Sequence, residues 1–530
     1  MENNRAIIAV ALIILLWSGY SIFFPPQPAP VQPGEPVAKQ VIDQQPVAEK
    51  SPAVETVTKV VIGQSIDRSN YQEQLIKVSS DLYTMDLSTT GATIRSITLN
   101  KFMESNAPDA GPYQYLQIAP QRLATFKTSG SEGLAIPADL PFELVGEKTD
   151  SIRVDSGDKV VSFSAVTPSG LTVNKDYVFH ADTYKIDVKV QLVNSSNTAM
   201  KGYFNLALVT AIPEKEDEGM QNMYSFVGPL SFDGKELIED DIEDLDKSAK
   251  IYGEGIVWSG NAAKYFLTLV SPGNSAKQIQ IEKGEGFVQN KFVSPFISIE
   301  PGQNISLDYV SFIGPKDYDL LQATGYQFEN AKDYGFFAVL AKPLMHVLKF
   351  FYGFIGNYGF AIILLTVCIK VLFWPLTQKS YKSMKGMQKL QPEMQKMREK
   401  YGSDKQRLNQ EMMSFYKENK VNPMGGCLPM LIQIPVFFAL YQVLLGAIEL
   451  RHAPFMLWIT DLSAKDPYYI TPLIMGGTMF LQQKMTPTNM DPNQAKIMLM
   501  MPVVFTFLFL NFPSGLVVYW MVNNLLTILQ

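Results

Sequence analysis

The sequence predicts a multi-domain protein: an α-helical membrane bundle of six transmembrane helices, five forming the core, with a large all-β external sandwich and a cytoplasmic helical hairpin. Long uncharged apolar runs lie at the N-terminus and in the last third, and strand-like alternation fills the middle. Residues 25–334 hold 41 acidic and 26 basic side chains, a net charge of −15, whereas the 530-residue chain carries −6. The remainder is therefore basic. The acidic part would repel phosphate, which argues against strong nucleic-acid binding there.

The N-terminus predicts a membrane anchor. Residues 6–24 contain no charge and follow Arg5, and 19 residues can cross a bilayer core of about 30 Å. A secretory signal would have a shorter apolar run and a cleavage site of small residues. We interpret residues 1–24 as an uncleaved signal-anchor helix and the Pro-rich stretch 25–60 as a linker.

The external domain is predicted over residues 61–334 as a large antiparallel sandwich. Apolar and polar side chains alternate through 184–192, which is typical of a strand with one buried face. Residues 82–87 and 94–99, with Gly91 between them, predict a strand pair. We expect a binding or scaffolding module here, since no nucleophile elbow or His-carboxylate grouping stands out.

The sequence predicts neither a metal site nor a cofactor. Residues 214–246 hold twelve acids and two lysines and predict a solvated loop or helix on the rim of the domain. Their spacing lacks the alternating ligands and central Gly of a calcium loop. The two cysteines, Cys368 and Cys427, cannot form a cysteine zinc site.

The last third predicts an interfacial helix and five spans. Lys342, His346 and Lys349 fall on one face of an otherwise apolar helix over 335–352, which is typical of a helix lying in the membrane interface. The alternative is an extension of the next span. Transmembrane helix 2 is predicted over 353–376 and helices 3–6 over 422–530, with apolar runs at 354–376, 427–448, 468–483, 497–512 and 513–529.

A basic segment, 377–421, separates the second and third spans. It carries eleven Lys or Arg against five acids, and such an excess in a short connection belongs in the cytoplasm. Both termini are then inside and the acidic domain outside. Apolar residues at spacings of three and four predict a helical hairpin, with a break at Pro392 and a capping box of Ser403 and Gln406 starting the second helix.

The positive charge of the hairpin has two possible roles, and the sequence leaves both open. It orients the protein, or it also docks an anionic partner such as ribosomal RNA, the RNA of a targeting factor, or lipid headgroups. The candidate partner-binding residues are Lys382, Lys385, Lys389, Lys396, Arg398, Lys405 and Arg407.

Lys370 is a charge inside an apolar run. An ionised lysine at the bilayer centre costs about 3 kcal/mol, so it either snorkels to the headgroups or faces a wet cavity. Uncharged polar residues in the same bundle favour a hydrated groove, although each alone could be a helix–helix hydrogen bond. They are Thr366, Gln433, Gln442, Thr478, Thr506, Asn523 and Asn524.

Other function classes stay open at this point. A glycan-active enzyme with a membrane anchor, and a lipid or solute transporter, are the alternatives. The sequence has no Walker-type phosphate loop, which argues against an internal ATPase. A cationic groove without acidic ligands suits acidic peptide segments better than coupling ions.

Three motifs resemble one family. Residues 420–435 read KVNPMGGCLPMLIQIP, 461–470 read DLSAKDPYYI and 512–516 read FPSGL. In these motifs and in its whole organisation the chain resembles the YidC membrane-protein insertases of Gram-negative bacteria. The resemblance implies a non-enzymatic insertase of the inner membrane with a periplasmic sandwich. It implies that nascent membrane proteins are inserted alone or beside the Sec translocon, with the ribosome and a targeting factor as partners.

The resemblance also implies a groove that is open to cytoplasm and lipid and closed outside, with one essential cation. Lys370 matches that cation, where members usually have Arg, and Trp520 matches a position near the substrate path where Tyr is common. The predicted groove residues are Lys370, Thr366, Gln433, Thr506, Trp520 and Asn523. The predicted substrate slide consists of Met430, Phe437, Phe505 and Phe509.

Overall fold

The computed structural model describes residues 71–117, 124–212, 226–401, 404–419, 428–485 and 492–530. The predicted signal anchor (1–24) and linker (25–60) lie outside the described residues, as do residues 61–70 of the predicted external domain. Residues 420–427, the first half of one family motif, also lie outside.

The external domain is built from β-strands that form three sheets. The strands are β1 (Leu75–Ser79), β2 (Tyr83–Ser88), β3 (Thr93–Met103), β4 (Pro112–Gln117), β5 (Lys127–Glu132), β6 (Glu143–Leu144), β7 (Ser151–Arg153), β8 (Asp158–Val166), β9 (Leu171–His180), β10 (Lys185–Asn194), β11 (Met200–Ala211), β12 (Gly228–Phe232), β13 (Leu237–Glu239), β14 (Lys250–Tyr252), β15 (Trp258–Ala262), β16 (Phe266–Ser271), β17 (Gln278–Gly284), β18 (Phe287–Val293), β19 (Ile297–Ile299) and β20 (Asn304–Pro315).

The sheets pack around one hydrophobic core. Their orders are β4-β3-β2-β1-β7, β13-β12-β15-β16-β20-β10-β9-β8-β6 and β14-β17-β18-β11-β19, with β5 also paired to β11. Ile97, Val188 and Phe292, one from each sheet, are buried in the same cluster. Sheet-on-sheet packing of this kind requires one apolar face per sheet, which the alternating sequence supplies. The predicted β-sandwich is confirmed.

Two strand predictions are confirmed. Residues 185–192 of the predicted stretch 184–192 fall in β10, which pairs antiparallel with β9 and β20, and its alternate side chains are buried. The pair predicted around Gly91 is β2 and β3, with Tyr83 opposite Leu99. Gly91 has a φ of +69° in the connecting turn, a conformation that glycine adopts without steric cost.

The acidic stretch 214–246 differs from its prediction. Residues 213–225 lie outside the described residues, but the chain then forms β12 and β13 at the edge of the nine-stranded sheet. Leu230 and Phe232 are buried in the core, and buried Asp240 accepts a hydrogen bond of 2.8 Å from the Tyr252 hydroxyl. The prediction of a solvated loop or helix is therefore wrong for β12 and β13, because two apolar side chains within the acidic run fill core positions.

Three neighbouring strands bring His180 between two carboxylates. Its Nδ1 lies 2.6 Å from Asp158 Oδ1 and its Nε2 lies 3.0 Å from Asp187 Oδ2. The hydrogen bond to Asp187 and the one to Asp158 raise the pKa of His180 above its usual value, although partial burial opposes the shift. The imidazole therefore links β8, β9 and β10.

This link predicts a pH dependence. Because the pKa of His180 is higher in the folded than in the unfolded chain, its stabilising contribution is complete below pH ~6.5 and is lost as pH rises through the folded pKa. We expect the urea midpoint for unfolding of the β domain, the part that holds β1 to β20, to fall between pH 6 and pH 9. The fall should be larger in the parent chain than in the His180→Gln variant, as measured by pulse proteolysis of the full chain. Parallel profiles for the two chains would contradict this role.

Most of the described residues after the β-strands form helices. The helices are α1 (Tyr318–Thr324), α2 (Ala338–Ile355), α3 (Tyr358–Tyr401), α4 (Lys405–Glu418), α5 (Leu428–Leu445), α6 (Ile470–Met485), α7 (Pro492–Phe509) and α8 (Ser514–Leu529). Leu348, Ala361, Leu444, Met475 and Val518, from α2, α3, α5, α6 and α8, are buried in a second hydrophobic core.

Among the described residues, two helical segments are long and apolar enough to cross a membrane by length and composition. They are Gly335–Ile355 and Tyr358–Tyr401. The apolar helices Gln433–Leu445, Met498–Phe509 and Ser514–Leu529 are shorter.

Helix α3 is continuous where the sequence predicts a break. It runs for 44 residues through Pro375 and Pro392. A proline removes one backbone hydrogen bond and tends to kink a helix, but an exposed position leaves the freed carbonyl to water. Pro392 is exposed. The prediction that it breaks the first hairpin helix is therefore wrong, and the predicted second span and the first helix of the predicted hairpin form one continuous helix.

Helices α2 and α3 are separate. Gly356 ends α2 with a φ of +69°, and Asn357 Oδ1 accepts a hydrogen bond of 3.2 Å from Phe360 N in the first turn of α3. Helices commonly end on such a left-handed glycine and begin at an Asn cap. The alternative that 335–352 merely extends the next span is wrong.

An ion cluster joins the β domain to the helices. Lys349 Nζ, on α2, lies 3.1 Å from Asp317 Oδ2, 2.7 Å from Asp319 Oδ2 and 2.9 Å from Glu449 Oε1. Asp317 also caps α1 by accepting hydrogen bonds from Asp319 N and Leu320 N. Lys349 thus connects the end of the β domain to the chain after α5.

The neighbouring cations lie against the same surface. Lys332 Nζ is 3.9 Å from Glu449 Oε2, and both side chains are buried. Lys342 Nζ lies 4.8 Å from the centre of the Tyr318 ring. Two lysines of the predicted cationic face, Lys342 and Lys349, therefore contact the β domain's terminal segment.

Candidate functional site

Two of the family motifs meet at the end of the helical core where α6 and α8 begin. Ser514 N donates a hydrogen bond of 2.7 Å to Ala464 O, and Gly515 N donates one of 2.9 Å to Leu462 O. A Cβ on Gly515 would approach Leu462 O to 3.2 Å, so the close approach favours glycine. Motifs fifty residues apart thus form one closed backbone junction.

Asp466 organises this junction. It is fully buried, and its Oδ2 accepts from Thr471 N at 2.7 Å, Thr471 Oγ1 at 2.5 Å and Trp458 Nε1 at 3.2 Å. Its Oδ1 accepts from Tyr468 N at 2.9 Å. A buried carboxylate needs such donors, because the loss of hydration is otherwise uncompensated. The loop before α6 is therefore held as a rigid cap.

Lys370 lies in a chain of polar contacts that crosses the core. Its Nζ donates to Thr527 Oγ1 on α8 at 2.8 Å, and Thr527 Oγ1 donates to Asn523 O at 2.7 Å. Asn523 Oδ1 accepts from Gln433 Nε2 on α5 at 2.7 Å. Of the predicted groove residues, Lys370, Gln433 and Asn523 are therefore brought together, and they link α3, α8 and α5.

Lys370 and Thr527 lie at similar distances from the starts of their helices. Lys370 lies twelve residues after the start of α3, about 18 Å along the axis, and Thr527 lies thirteen residues after the start of α8, about 20 Å. The neighbours Val371 and Leu372 are 64% and 72% exposed. The ammonium thus lies between α3 and α8, and the exposed apolar face of α3 is formed by other residues.

Thr366 and Thr506 make local contacts. Thr366 is buried one turn from Lys370, and its hydroxyl donates to Ile362 O at 2.7 Å. Thr506 donates to Pro502 O at 2.7 Å and packs on Gly476, where a Cβ would lie 1.9 Å from Thr506 Oγ1. Thr506 therefore lies at the contact of α6 and α7, and its role in the groove stays a prediction.

Three of the four predicted slide residues surround Trp520. Ring centroids lie 4.8 Å from Trp520 for Phe437, 6.0 Å for Phe505 and 5.5 Å for Phe509. Aromatic pairs at these separations attract each other beyond their apolar burial. Trp520 was predicted for the groove, but the structure places it in this aromatic cluster of α5, α7 and α8. The side chain of Met430, in the first turn of α5, lies outside the described residues.

Thr527, which accepts the hydrogen bond from Lys370, was not predicted from the sequence. A threonine near the end of an apolar helix is common and gives no signal by itself. The available signal was its spacing, since Asn523 and Thr527 are four residues apart and share one face of α8.

The basic arm formed by α3 and α4 presents its cations to the surface. Lys382, Lys385, Lys389, Lys396 and Arg407 are exposed, whereas Met394 is buried and lies 3.9 Å from the Tyr416 hydroxyl of α4. The side chains of Arg398 and Lys405 lie outside the described residues.

The start of α4 differs from the predicted capping box. Asp404 is the N-cap, and its side chain accepts a hydrogen bond of 3.0 Å from Arg407 N. Ser403, the predicted cap, lies outside the described residues. An Asp satisfies the first free backbone donors of a helix as well as a Ser does, so the cap lies one residue later than predicted.

The two parts of the chain match two family models. Residues 350–530 match the 60Kd inner membrane protein model, and residues 75–347 match the model of the YidC periplasmic domain. Together with the helical core and the β-sandwich, these matches define an inner-membrane protein with a large periplasmic domain.

Curated relatives extend the match to the whole chain. The membrane protein insertase YidC of Geotalea uraniireducens (strain Rf4) is 43% identical, covering 100% of this chain and 98% of the relative. The YidC of Geobacter sp. (strain M21) is 46% identical over 86% of this chain and 84% of its own. The chain belongs to the YidC membrane protein insertase family.

Among solved structures, an active YidC insertase with its first transmembrane domain resolved is 18% identical. It covers 86% of this chain and 92% of its own, with a TM-score of 0.37. The family assignment rests on the family models and the curated relatives.

Proposed function

We propose that this chain inserts newly synthesised proteins into the inner membrane and helps them fold, using a hydrophilic groove open to the cytoplasm and to lipid. The observation that carries the proposal is the placement of the Lys370 ammonium within the helical core, on Thr527 of α8. Unit charges about 4 Å apart attract by about 4 kcal/mol at an effective dielectric of about 20. Such an attraction draws an acidic flank into the groove without trapping it.

The substrate's apolar segment follows the aromatic cluster. Phe437, Phe505 and Phe509 lie on α5 and α7 around Trp520, and Met430 extends the predicted path. Flat apolar faces accept many side-chain shapes. Insertion is driven by removal of the substrate's apolar surface from water, worth about 25 cal/mol per Å², so the groove has only to admit the polar flank.

The proposed topology has six spans with both termini in the cytoplasm. At 1.5 Å per residue, α3 is about 66 Å long, and a bilayer core of about 30 Å leaves more than half of it outside. The positive-inside rule places that basic arm, 377–421, in the cytoplasm. Helix 335–352 lies at the interface, 353–376 is the second span, and 422–530 holds spans three to six.

We assign the partners from surface chemistry and family membership. Nascent membrane proteins are the substrates. Some of them are inserted together with the Sec translocon. The exposed lysines of the basic arm suit the ribosome, a targeting factor's RNA or anionic lipid headgroups. We propose no catalytic step, because attraction of the flank and partition of the apolar segment need no bond to be made or broken.

Reconstitution tests the proposal. The purified full chain in liposomes should increase the fraction of a single-span substrate whose acidic flank becomes protected from external protease, relative to empty liposomes. A second measurement follows release of a trapped small solute without substrate. Protection of the flank supports the insertase, whereas solute flux without any protection would favour a transporter and overturn the proposal.

A further inference from the structure

Thr527 is placed between the groove cation and the backbone of α8. Its Oγ1 accepts from Lys370 Nζ at 2.8 Å and donates to Asn523 O at 2.7 Å. The hydroxyl hydrogen is thus committed to the helix backbone. The oxygen lone pairs are left to face the ammonium, so the acceptor has a fixed direction.

Asn523, one turn before Thr527 on α8, fixes the same region from the other side. Asn523 Oδ1 accepts from Gln433 Nε2 at 2.7 Å, which ties α8 to α5. Lysine has four rotatable side-chain bonds and can reach headgroups when nothing holds it. Val371 and Leu372, beside Lys370, are exposed, so a short swing would carry the ammonium out of the core.

We propose that Thr527 is a positioning residue that holds the Lys370 ammonium inside the groove and thereby sets the preference for substrates with acidic flanks. This inference rests on the proposed function. Thr527 acts through Lys370, and its hydroxyl has no contact with the substrate. The charge of Lys370 supplies the attraction, and Thr527 determines where that charge stands.

The test compares four variants with the parent chain in the reconstituted insertion assay. It uses two substrates that differ only in whether the flank is acidic or neutral. Thr527→Val keeps the branched shape and removes the hydroxyl, and Thr527→Ser keeps the hydroxyl. A hydrogen bond to a charged group is worth roughly a tenfold change in equilibrium. We expect Thr527→Val to lower the acidic-to-neutral insertion ratio about tenfold, and Thr527→Ser to restore most of it.

The third variant is Lys370→Ala, and the fourth combines Lys370→Ala with Thr527→Val. If Thr527 acts through Lys370, the double variant has the same ratio as Lys370→Ala. A full ratio in Thr527→Val, with a reduced ratio in Lys370→Ala, overturns the positioning role and leaves the proposed function standing. A full ratio in Lys370→Ala removes the charge from the proposed mechanism, whereas failure of the parent chain to insert either substrate overturns the proposed function itself. Equal losses for both substrates in Thr527→Val and Thr527→Ser would show a structural role only.

Discussion

Lys370→Ala is expected to reduce insertion of acidic-flank substrates by at least about tenfold. The variant removes an attraction of about 4 kcal/mol at about 4 Å and leaves Thr527 as an uncharged acceptor. The apolar cluster around Trp520 is untouched, so substrates without acidic residues should be affected less. Growth and insertion in a strain depleted of its own insertase provide the measurement.

Lys370→Arg is the matched control for this prediction. Arg keeps the positive charge and adds a planar fork that suits carboxylates, so we expect insertion at or above the level of the parent chain. Undiminished growth and insertion in Lys370→Ala, with the variant present at normal levels, would remove the charge from the mechanism.

Lys349→Met is expected to release the β domain from the helical core. Methionine keeps the apolar stem, but Asp317, Asp319 and Glu449 lose the cation that they share. Removing one partner from a fully buried ion pair costs about 3–5 kcal/mol, because a charge is left uncompensated. The cost is smaller here, since the Lys349 and Asp319 side chains are 25% and 52% exposed. Limited proteolysis of the full chain should therefore show faster cleavage between α1 and α2.

Lys342→Met is the matched control on the same helix. Lys342 contacts the Tyr318 ring at 4.8 Å, a cation–π contact worth about 0.5–1 kcal/mol at an exposed site. Its cleavage rate should stay close to that of the parent chain. Equal cleavage rates in both variants would mean that the ion cluster does not hold the junction.

Much of the β domain could be predicted from local pattern. The alternation in 184–192 specifies one buried face, and a slip of one residue would turn every side chain over, so the register of β10 follows from the sequence. The edge strands β12 and β13 escaped prediction because the acids around Leu230 and Phe232 dominate the composition. Burial of two side chains decided the local structure there.

The helical region was predictable in position and less so in continuity. Apolar runs locate α5 to α8 within a few residues, since only an apolar helix satisfies its backbone in lipid. The continuity of α3 through Pro392 depends on solvent exposure, which a sequence does not reveal.

Within the candidate site, the sequence points most clearly to Lys370. Lys370 is conspicuous as a charge in an apolar run, whereas its acceptor Thr527 lies 157 residues later. Lys349 and Glu449, which are far apart in the sequence, are likewise brought together by folding. Contacts of this range follow from tertiary packing, and the sequence signals Thr527 only through its four-residue spacing from Asn523 on α8.

Site-specific crosslinking to a stalled nascent membrane protein tests the central claim most directly. Probes at 433, in the polar chain beside Lys370, and at 505 should trap the acidic flank and the apolar segment of the substrate, respectively, and both leave the Lys370 charge in place. A probe at the exposed Val160 of the β domain should trap neither. If neither the 433 nor the 505 probe reached the substrate while insertion proceeded, the substrate would follow another path and the account would be contradicted.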